Sequence, residues 1–269
     1  LRTPTTPTGL GLAFEKAVKR HPHGMALLFE EQKFSYNQLN AWANQIAHYY
    51  LSLGVRKGDV IAVMLENRPE LIATVIGLAK LGVTAALVNT SQSGKVLIHS
   101  INLVKPIALI VGEECRAAVD EIRQGIEINE DRFYWFADQA TTLNPGTAPS
   151  GYLNLAKVVD HFARFNPPTT AKVQGKDGLF YIYTSGTTGL PKAVIFTNSR
   201  WTLAYGTYGH VLALNKDDVM YNYKIKKFEN LLLKYDSCIG IDINSKGDSR
   251  TRFDRKLWDI LLQDIVPHG

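Results

Sequence analysis

The chain has 269 residues, 45% of them hydrophobic and 20% charged, with a net charge of +5, and it contains no internal repeat or low-complexity tract. These are ordinary values for a soluble globular chain that buries a core, enough for one large domain or one domain and a fragment. The positive excess suits small anions, nucleic acid or an anionic membrane surface and selects none of them, while Cys115 and Cys238, far apart and without ligand-like spacing, argue against a disulfide framework and point to a reducing compartment.

Residues 1–11 open with threonine and proline and no apolar signal core, so they are expected as a flexible tail, and the missing initiator methionine suggests an incomplete upstream boundary. Ser35 and Gln38 then form a capping-box pattern that opens a helix running to Leu53, with Leu39, Trp42, Ile46, Tyr49 and Leu53 on one face and Gly54 as its stop. Val60 to Leu65 reads as a buried strand, Glu70 to Leu81 as a helix ended by Gly82, and Thr84 to Val88 as the next strand. The stretch Leu71 to Val88 is apolar enough to invite a membrane reading, but Lys80 lies midway and two glycines interrupt it. Ile107 to Val111 is a further strand between Pro106 and Gly112, and Cys115 to Gln124 a helix before Gly125. The alternation of the two patterns predicts an α/β fold, a layered and largely parallel sheet with flanking helices. Residues 138–151 and Asn166-Pro167-Pro168-Thr169 have the composition of connectors.

The most informative stretch follows. Leu179 to Thr184 reads as a buried strand that runs straight into Thr184-Ser185-Gly186-Thr187-Thr188-Gly189-Leu190-Pro191-Lys192. Glycines let backbone N–H groups turn toward an anion, the hydroxyls of Thr184, Ser185, Thr187 and Thr188 add donors, and Lys192 adds a point charge. A Walker A loop needs Gly, four residues and then Gly-Lys-Ser or Gly-Lys-Thr entering a helix. Here the glycines stand three apart, Leu190-Pro191 precedes the lysine, and Ala193-Val194-Ile195-Phe196 reads as a second strand, so a hairpin is implied. A Gly/Thr-rich surface turn is the bland alternative; four hydroxyls, two glycines and a proline-fixed lysine within nine residues argue against it. A helix after Asn198 carries Trp201 and Tyr205 one turn apart, as core or pocket wall. The seven histidines, His21, His23, His48, His99, His161, His210 and His268, show no metal spacing and are read as satisfied or solvated.

The run from Thr184 to Lys192 resembles the signature loop of the adenylate-forming, or AMP-binding, enzymes, and Phe34 to Asn40, Val63 to Glu70 and Leu81 to Thr90 resemble their fatty acid transport protein and very-long-chain acyl-CoA synthetase branch. The resemblance covers roughly residues 10–221 and implies an incomplete AMP-binding N-terminal domain over 12–221. It implies ATP-dependent activation of a long-chain fatty acid to acyl-AMP and then acyl-CoA, with ATP, magnesium (Mg2+) and coenzyme A as cofactors. Thr184, Ser185, Gly186, Thr187, Thr188, Gly189 and Lys192 would hold the phosphates. No nucleic-acid partner is expected; a fatty acid substrate brings peripheral membrane contact within reach of a cytoplasmic protein. From Tyr221 onward the resemblance stops, and residues 222–269 form a divergent tail with 16 charged residues in 48 and one helical pattern over Lys256 to Ile265. The resemblance also implies an aromatic-Gly-x-Thr-Glu segment for adenine and magnesium, a ribose-binding aspartate and a lid lysine. None is visible in this chain, and Glu229 and Asp236 are too isolated to replace them. The expectation is a truncated form that binds nucleotide weakly and does not form acyl-adenylate at a useful rate. A non-catalytic nucleotide-binding or interaction module and an unrelated phosphate-binding α/β protein are the alternatives.

Overall fold

A computed structural model of the chain describes residues 5–137, 146–184 and 190–211. Helix α1 (Leu10–Arg20) leads to a separate two-stranded hairpin, β1 (Met25–Phe29) with β2 (Gln32–Ser35). Helix α2 (Tyr36–Ser52) begins at the expected capping box: the Gln38 amide donates to the Ser35 hydroxyl at 3.2 Å, and the Ser35 amide donates to the Gln38 side chain at 2.8 Å. Strand β3 (Val60–Met64), helix α3 (Pro69–Leu81) and strand β4 (Thr84–Leu87) fall within a residue or so of their sequence-read bounds, and Gly82 ends α3 in the left-handed conformation at φ 71°. Helix α4 (Gly94–Leu103), strand β5 (Ala108–Gly112), helix α5 (Glu113–Ile122) and strand β6 (Phe133–Phe136) complete the crossover series. After a short strand β7 (Leu153–Asn154) and helix α6 (Leu155–Val159), the chain returns through β8 (Gly178–Thr184) and β9 (Lys192–Thr197) to helix α7 (Asn198–Val211).

Seven strands form one sheet in the order β7-β6-β5-β3-β4-β8-β9, parallel throughout except for the antiparallel pair β8–β9. Both faces are covered over β3 to β6, which is why these strands read as continuous apolar runs and not as alternating ones; β8, expected as a buried strand, buries only Leu179 and leaves Ile182 exposed, because it lies next to the edge strand β9. Ile61, Val63, Ala85, Ile110, Tyr134 and Phe136 pack in the cluster built with α1, α2, α3 and α6. Their neighbours Ala62, Met64, Ala86, Leu109, Val111, Phe133 and Trp135 pack in the cluster built with α4 and α5.

The segment expected as a tail is, over its described part, fastened to the body. Pro7 bridges Gln174, the Thr8 amide donates to the Val173 carbonyl at 3.2 Å, and α1 starts at Leu10. Asn198, fully buried, explains the docking: its Oδ1 accepts from the Leu10 amide at 3.3 Å and its Nδ2 donates to the Asp177 carbonyl at 3.1 Å. A threonine- and proline-rich composition carries no sign of partners so distant in the chain.

The helical layer closes around a buried cation. Lys80 has no exposed surface, and its ammonium donates to Asn40 Oδ1 and Asn44 Oδ1, both at 2.6 Å, and to Asn166 Oδ1 at 3.0 Å, with Glu15 Oε1 at 3.2 Å. Asn166 Oδ1 also accepts from the side-chain amides of Asn40 and Asn44, at 2.9 and 3.0 Å, and Glu15 accepts from the Thr170 hydroxyl at 2.8 Å. One side chain of α3 thereby holds α1, α2 and the connector that leads to β8. Burial outweighs the attraction of Glu15 and lowers the Lys80 pKa from 10.5 to about 8.

Where α2 crosses α3 the backbones meet at Gly77, at which a Cβ would lie 2.7 Å from the Ala43 carbonyl oxygen and 3.2 Å from the Ile46 side chain. Gly77→Ala is therefore expected to cost about 1–3 kcal/mol through forced separation of the two helices, read from the urea midpoint. The buried lysine gives a second test. Unfolded, it holds its proton up to its ordinary value of 10.5, whereas in the fold it sheds it from about 8. Between those values the unfolded chain binds more protons, so the Lys80 contribution favours folding increasingly as the pH rises and offers none of that gain below 8. The stability difference between the wild-type chain and Lys80→Met should shift toward the wild type by on the order of 3 kcal/mol across this window. Urea unfolding of both at the two ends of that window checks it, and a flat difference would contradict the assignment.

Candidate phosphate-binding site

β8 runs parallel to β4, so Thr184 emerges at the same edge of the sheet as the carboxyl ends of β3, β4, β5 and β6. In open α/β sheets this edge is where ligands collect. The chain then returns antiparallel, with Thr184 and Lys192 as Cα partners at the open end of a ladder that runs back to Gly178 and Thr197. The hairpin expected from the sequence is therefore present, and it separates this loop from a strand-loop-helix phosphate site. Thr184 and Lys192 face each other across the hairpin; Ser185, Gly186, Thr187, Thr188 and Gly189 lie outside the described residues. Residues 222–269, with the helix expected over Lys256 to Ile265, lie outside them as well.

Lys192 is exposed and carries its charge on a flexible four-carbon stem. One residue before Thr184, the Tyr183 hydroxyl is buried and has no hydrogen-bond partner among the described residues. Desolvation, with a smaller contribution from Tyr181, holds its pKa above the usual phenol range. Beside the hairpin opens a groove of about 680 Å³, lined on one side by His99, Leu103, Val104 and Lys105 of α4 and its end, and on the other by Tyr181 and Leu190 to Ala193. Among the described residues its lining carries lysines and a histidine but no carboxylate, a balance that suits an anion at its mouth. His99 spans the groove, its Nε2 lying 3.0 Å from the Pro191 carbonyl oxygen, which accepts from the ring N–H. Nothing in the sequence marks His99 for this part, since a lone histidine on a half-buried helix has no spacing partner.

The crevice between β3 and β5, where the order of connections reverses, is filled by protein. The Arg68 guanidinium reaches Glu114 at 3.2 Å, Glu70 at 3.4 Å and the Phe136 carbonyl at 3.3 Å, while the Glu66 amide donates to Glu114 at 2.8 Å. This cluster fastens the ends of β3, β5 and β6; among the described residues the edge opens at the hairpin, where the groove lies. Cys115, nearby on α5, is buried with its pKa pushed up to about 12, chiefly by desolvation, and is a poor nucleophile. Trp201 of α7 packs against the cluster of α1, α2 and α3 and so belongs to the core, while the Tyr205 side chain lies outside the described part. Among the described residues no group of three or more His, Cys, Asp or Glu side chains is placed to hold a metal ion, and no helix is long and apolar enough to cross a membrane.

Comparison with known proteins agrees with this geometry. The profile of the AMP-binding enzyme family matches residues 14–224. The chain is 31% identical over 230 residues to a medium/long-chain-fatty-acid–CoA ligase, FadD6, of Mycobacterium tuberculosis, covering 82% of this chain and 35% of the relative. It is 34% identical over 215 residues to long-chain fatty acid transport protein 1 of Rattus norvegicus, covering 78% and 32%. The chain thus spans about a third of the length of these relatives. Among solved structures, the anthranilate CoA ligase AuaEII in complex with anthranoyl-AMP superposes with a TM-score of 0.70 at 21% identity, over 80% of this chain and 40% of that one. The N-terminal domain of FACL13 from Mycobacterium tuberculosis gives 0.65 at 24% identity, over 78% and 50%. At these identities the two structures speak for the fold alone.

Proposed function

The chain belongs to the AMP-binding enzyme family, and from that premise we propose that it is the phosphate-holding part of a fatty acid–CoA ligase. In this reading the segment from Thr184 to Lys192 grips the β- and γ-phosphates of ATP while a fatty carboxylate attacks the α-phosphate and pyrophosphate leaves. The acyl-AMP then passes its acyl group to the thiol of coenzyme A, with release of AMP. The observation that carries the reading is the pairing of Thr184 with Lys192 at the carboxyl edge of the sheet, within the residues that match the family. Thr184, Ser185, Thr187 and Thr188 supply hydroxyl donors, Gly186 and Gly189 give the backbone its shape, and Lys192 offsets phosphate charge. A magnesium ion would accompany the triphosphate and offset part of its charge. A long-chain fatty acid partitions into bilayers, so peripheral membrane contact of a cytoplasmic protein accompanies the reading.

The same reading makes this chain, by itself, a nucleotide binder without turnover. Adenylation is mostly positioning and charge stabilisation at the α-phosphate, and one loop does not supply both. In place of further family motifs, residues 222–269 carry 16 charged residues in 48. This favours a binding module as the second function of the chain as it stands.

Two measurements test these statements. ATP titration by calorimetry should show weak binding, and Lys192→Ala should weaken it by about 10- to 100-fold, the range for a lost hydrogen bond to a charged group; unchanged affinity would remove the loop from the site. Incubation with ATP, Mg2+ and palmitate should give pyrophosphate release at background. Turnover close to that of a full-length relative would instead show the chain to be a competent enzyme.

A further inference from the structure

β9, which carries Lys192, faces α4 across an open groove, and among the described residues the His99 side chain crosses that gap. His99 sits on α4, a helix held to the core by Leu97 and Ile101, both fully buried. Its Nε2 lies 3.0 Å from the carbonyl oxygen of Pro191. Pro191 has no amide proton and a fixed φ, so its carbonyl is its polar handle. A bond to that carbonyl fixes the orientation of the peptide plane joining Pro191 to Lys192. Lys192 is the first residue of β9 and the partner of Thr184, so the plane in question is the one from which the lysine side chain departs.

We propose that His99 is a positioning residue: by donating from Nε2 to the Pro191 carbonyl it fixes the entry of Lys192 into β9, and so the place from which the lysine charge meets phosphate. The proposal rests on the nucleotide-binding reading above. Both the neutral ring protonated at Nε2 and the doubly protonated ring can donate this bond, so the strut needs no change of charge. Its value lies in pre-organisation. A lysine on an exposed hairpin spreads over many rotamers and backbone poses, and restraining its origin lowers the ordering cost of binding. Without the bond, the Pro191 carbonyl would be left to the solvent of the groove of about 680 Å³.

The test compares the wild-type chain with His99→Ala, His99→Gln and Lys192→Ala in two measurements. In the first, without nucleotide, hydrogen exchange is followed at the Lys192 and Ala193 amides, which open the β9 ladder. His99→Ala should speed exchange several-fold at these positions while leaving β3 and β5 unchanged, and His99→Gln, whose Nε2 can reach the same carbonyl, should restore most of the protection. In the second, ATP affinity should fall about 3- to 10-fold in His99→Ala, the range for one neutral hydrogen bond, and recover in His99→Gln. Lys192→Ala sets the scale for complete loss of the lysine. Unaltered exchange in His99→Ala would overturn the strut. Loss shared equally by His99→Ala and His99→Gln, with a lower melting temperature in both, would reduce His99 to packing and overturn it as well. Failure of the wild-type chain to bind ATP, with the exchange result intact, would overturn the nucleotide reading while the bond across the groove stands. The two failures are therefore separate.

Discussion

The ammonium of Lys80 is the constraint around which the helical layer is arranged. A fully buried cation is costly unless oxygen atoms surround it, and here four do: the amide oxygens of Asn40, Asn44 and Asn166, and a carboxylate oxygen of Glu15. Those four residues come from α1, α2 and the connector ahead of β8, so the cage forms only when all three have docked on α3. The requirement propagates along the chain. Four residues beyond Asn166, Thr170 donates to Glu15; the Val173 carbonyl then takes the Thr8 amide, and Asp177 pairs with Lys57 at 3.2 Å just before β8 begins. The strand that delivers Thr184 is therefore set by a polar core that lies at the opposite end of it.

The carboxyl edge shows the same division between fastening and openness. At the switch point between β3 and β5, Arg68 gathers Glu70, Glu114 and the Phe136 carbonyl into a buried cluster. Removing one member of such a cluster leaves a charge in the interior, so its contribution is rigidity of the sheet end. The candidate site lies two strands along, at β8 and β9, where the lysine is exposed and a groove adjoins it. A related device holds the far rim of the sheet: the Arg123 guanidinium lies 3.8 Å from the centre of the Phe133 ring and 4.7 Å from that of Tyr152, and also bonds Glu130 and the Gly151 carbonyl.

Much of this was legible in the residues, and for physical reasons. The capping box at Ser35, the left-handed Gly82 and the strand-glycine-proline-lysine order from Leu179 to Lys192 are local signals, written where they act. What escapes reading depends on distant partners or on burial from both sides. Phe133 to Phe136 is four consecutive aromatics with every residue buried, so it lacks the alternation that marks a half-exposed strand. The hairpin of β1 and β2 turns through Glu30 at φ 51°, where glycine or asparagine would have announced it. In the sequence Lys80 stands only as a charge that spoils a membrane span, and Asn166 only as part of a proline-rich connector, because nothing local shows that they meet 86 positions apart. His99 is silent for the same reason, its partner being 92 positions away. The structure pairs Thr184 with Lys192 across the hairpin; that these two, with Ser185, Gly186, Thr187, Thr188 and Gly189, hold phosphate stays within the proposal.

The hairpin geometry also decides which forces can act on an anion at this loop. In a strand-loop-helix phosphate site, the positive end of the helix dipole and its free amides share the work with the lysine. Here the next helix, α7, begins only after the full length of β9. Six residues of antiparallel strand carry the chain about 20 Å away. The N-terminal amides of α7 are moreover engaged at that far end: Asn198 donates to the Asp177 carbonyl at 3.0 Å and Ser199 to the Gly175 carbonyl at 2.7 Å. The macrodipole therefore contributes little at Thr184, since its effect fades within a turn of the helix end. On the proposed reading, the burden of neutralising phosphate falls on Lys192, the loop hydroxyls and backbone amides. A long, exposed lysine is a weak clamp unless its base is held still, and the backbone at its base is where His99 makes its bond.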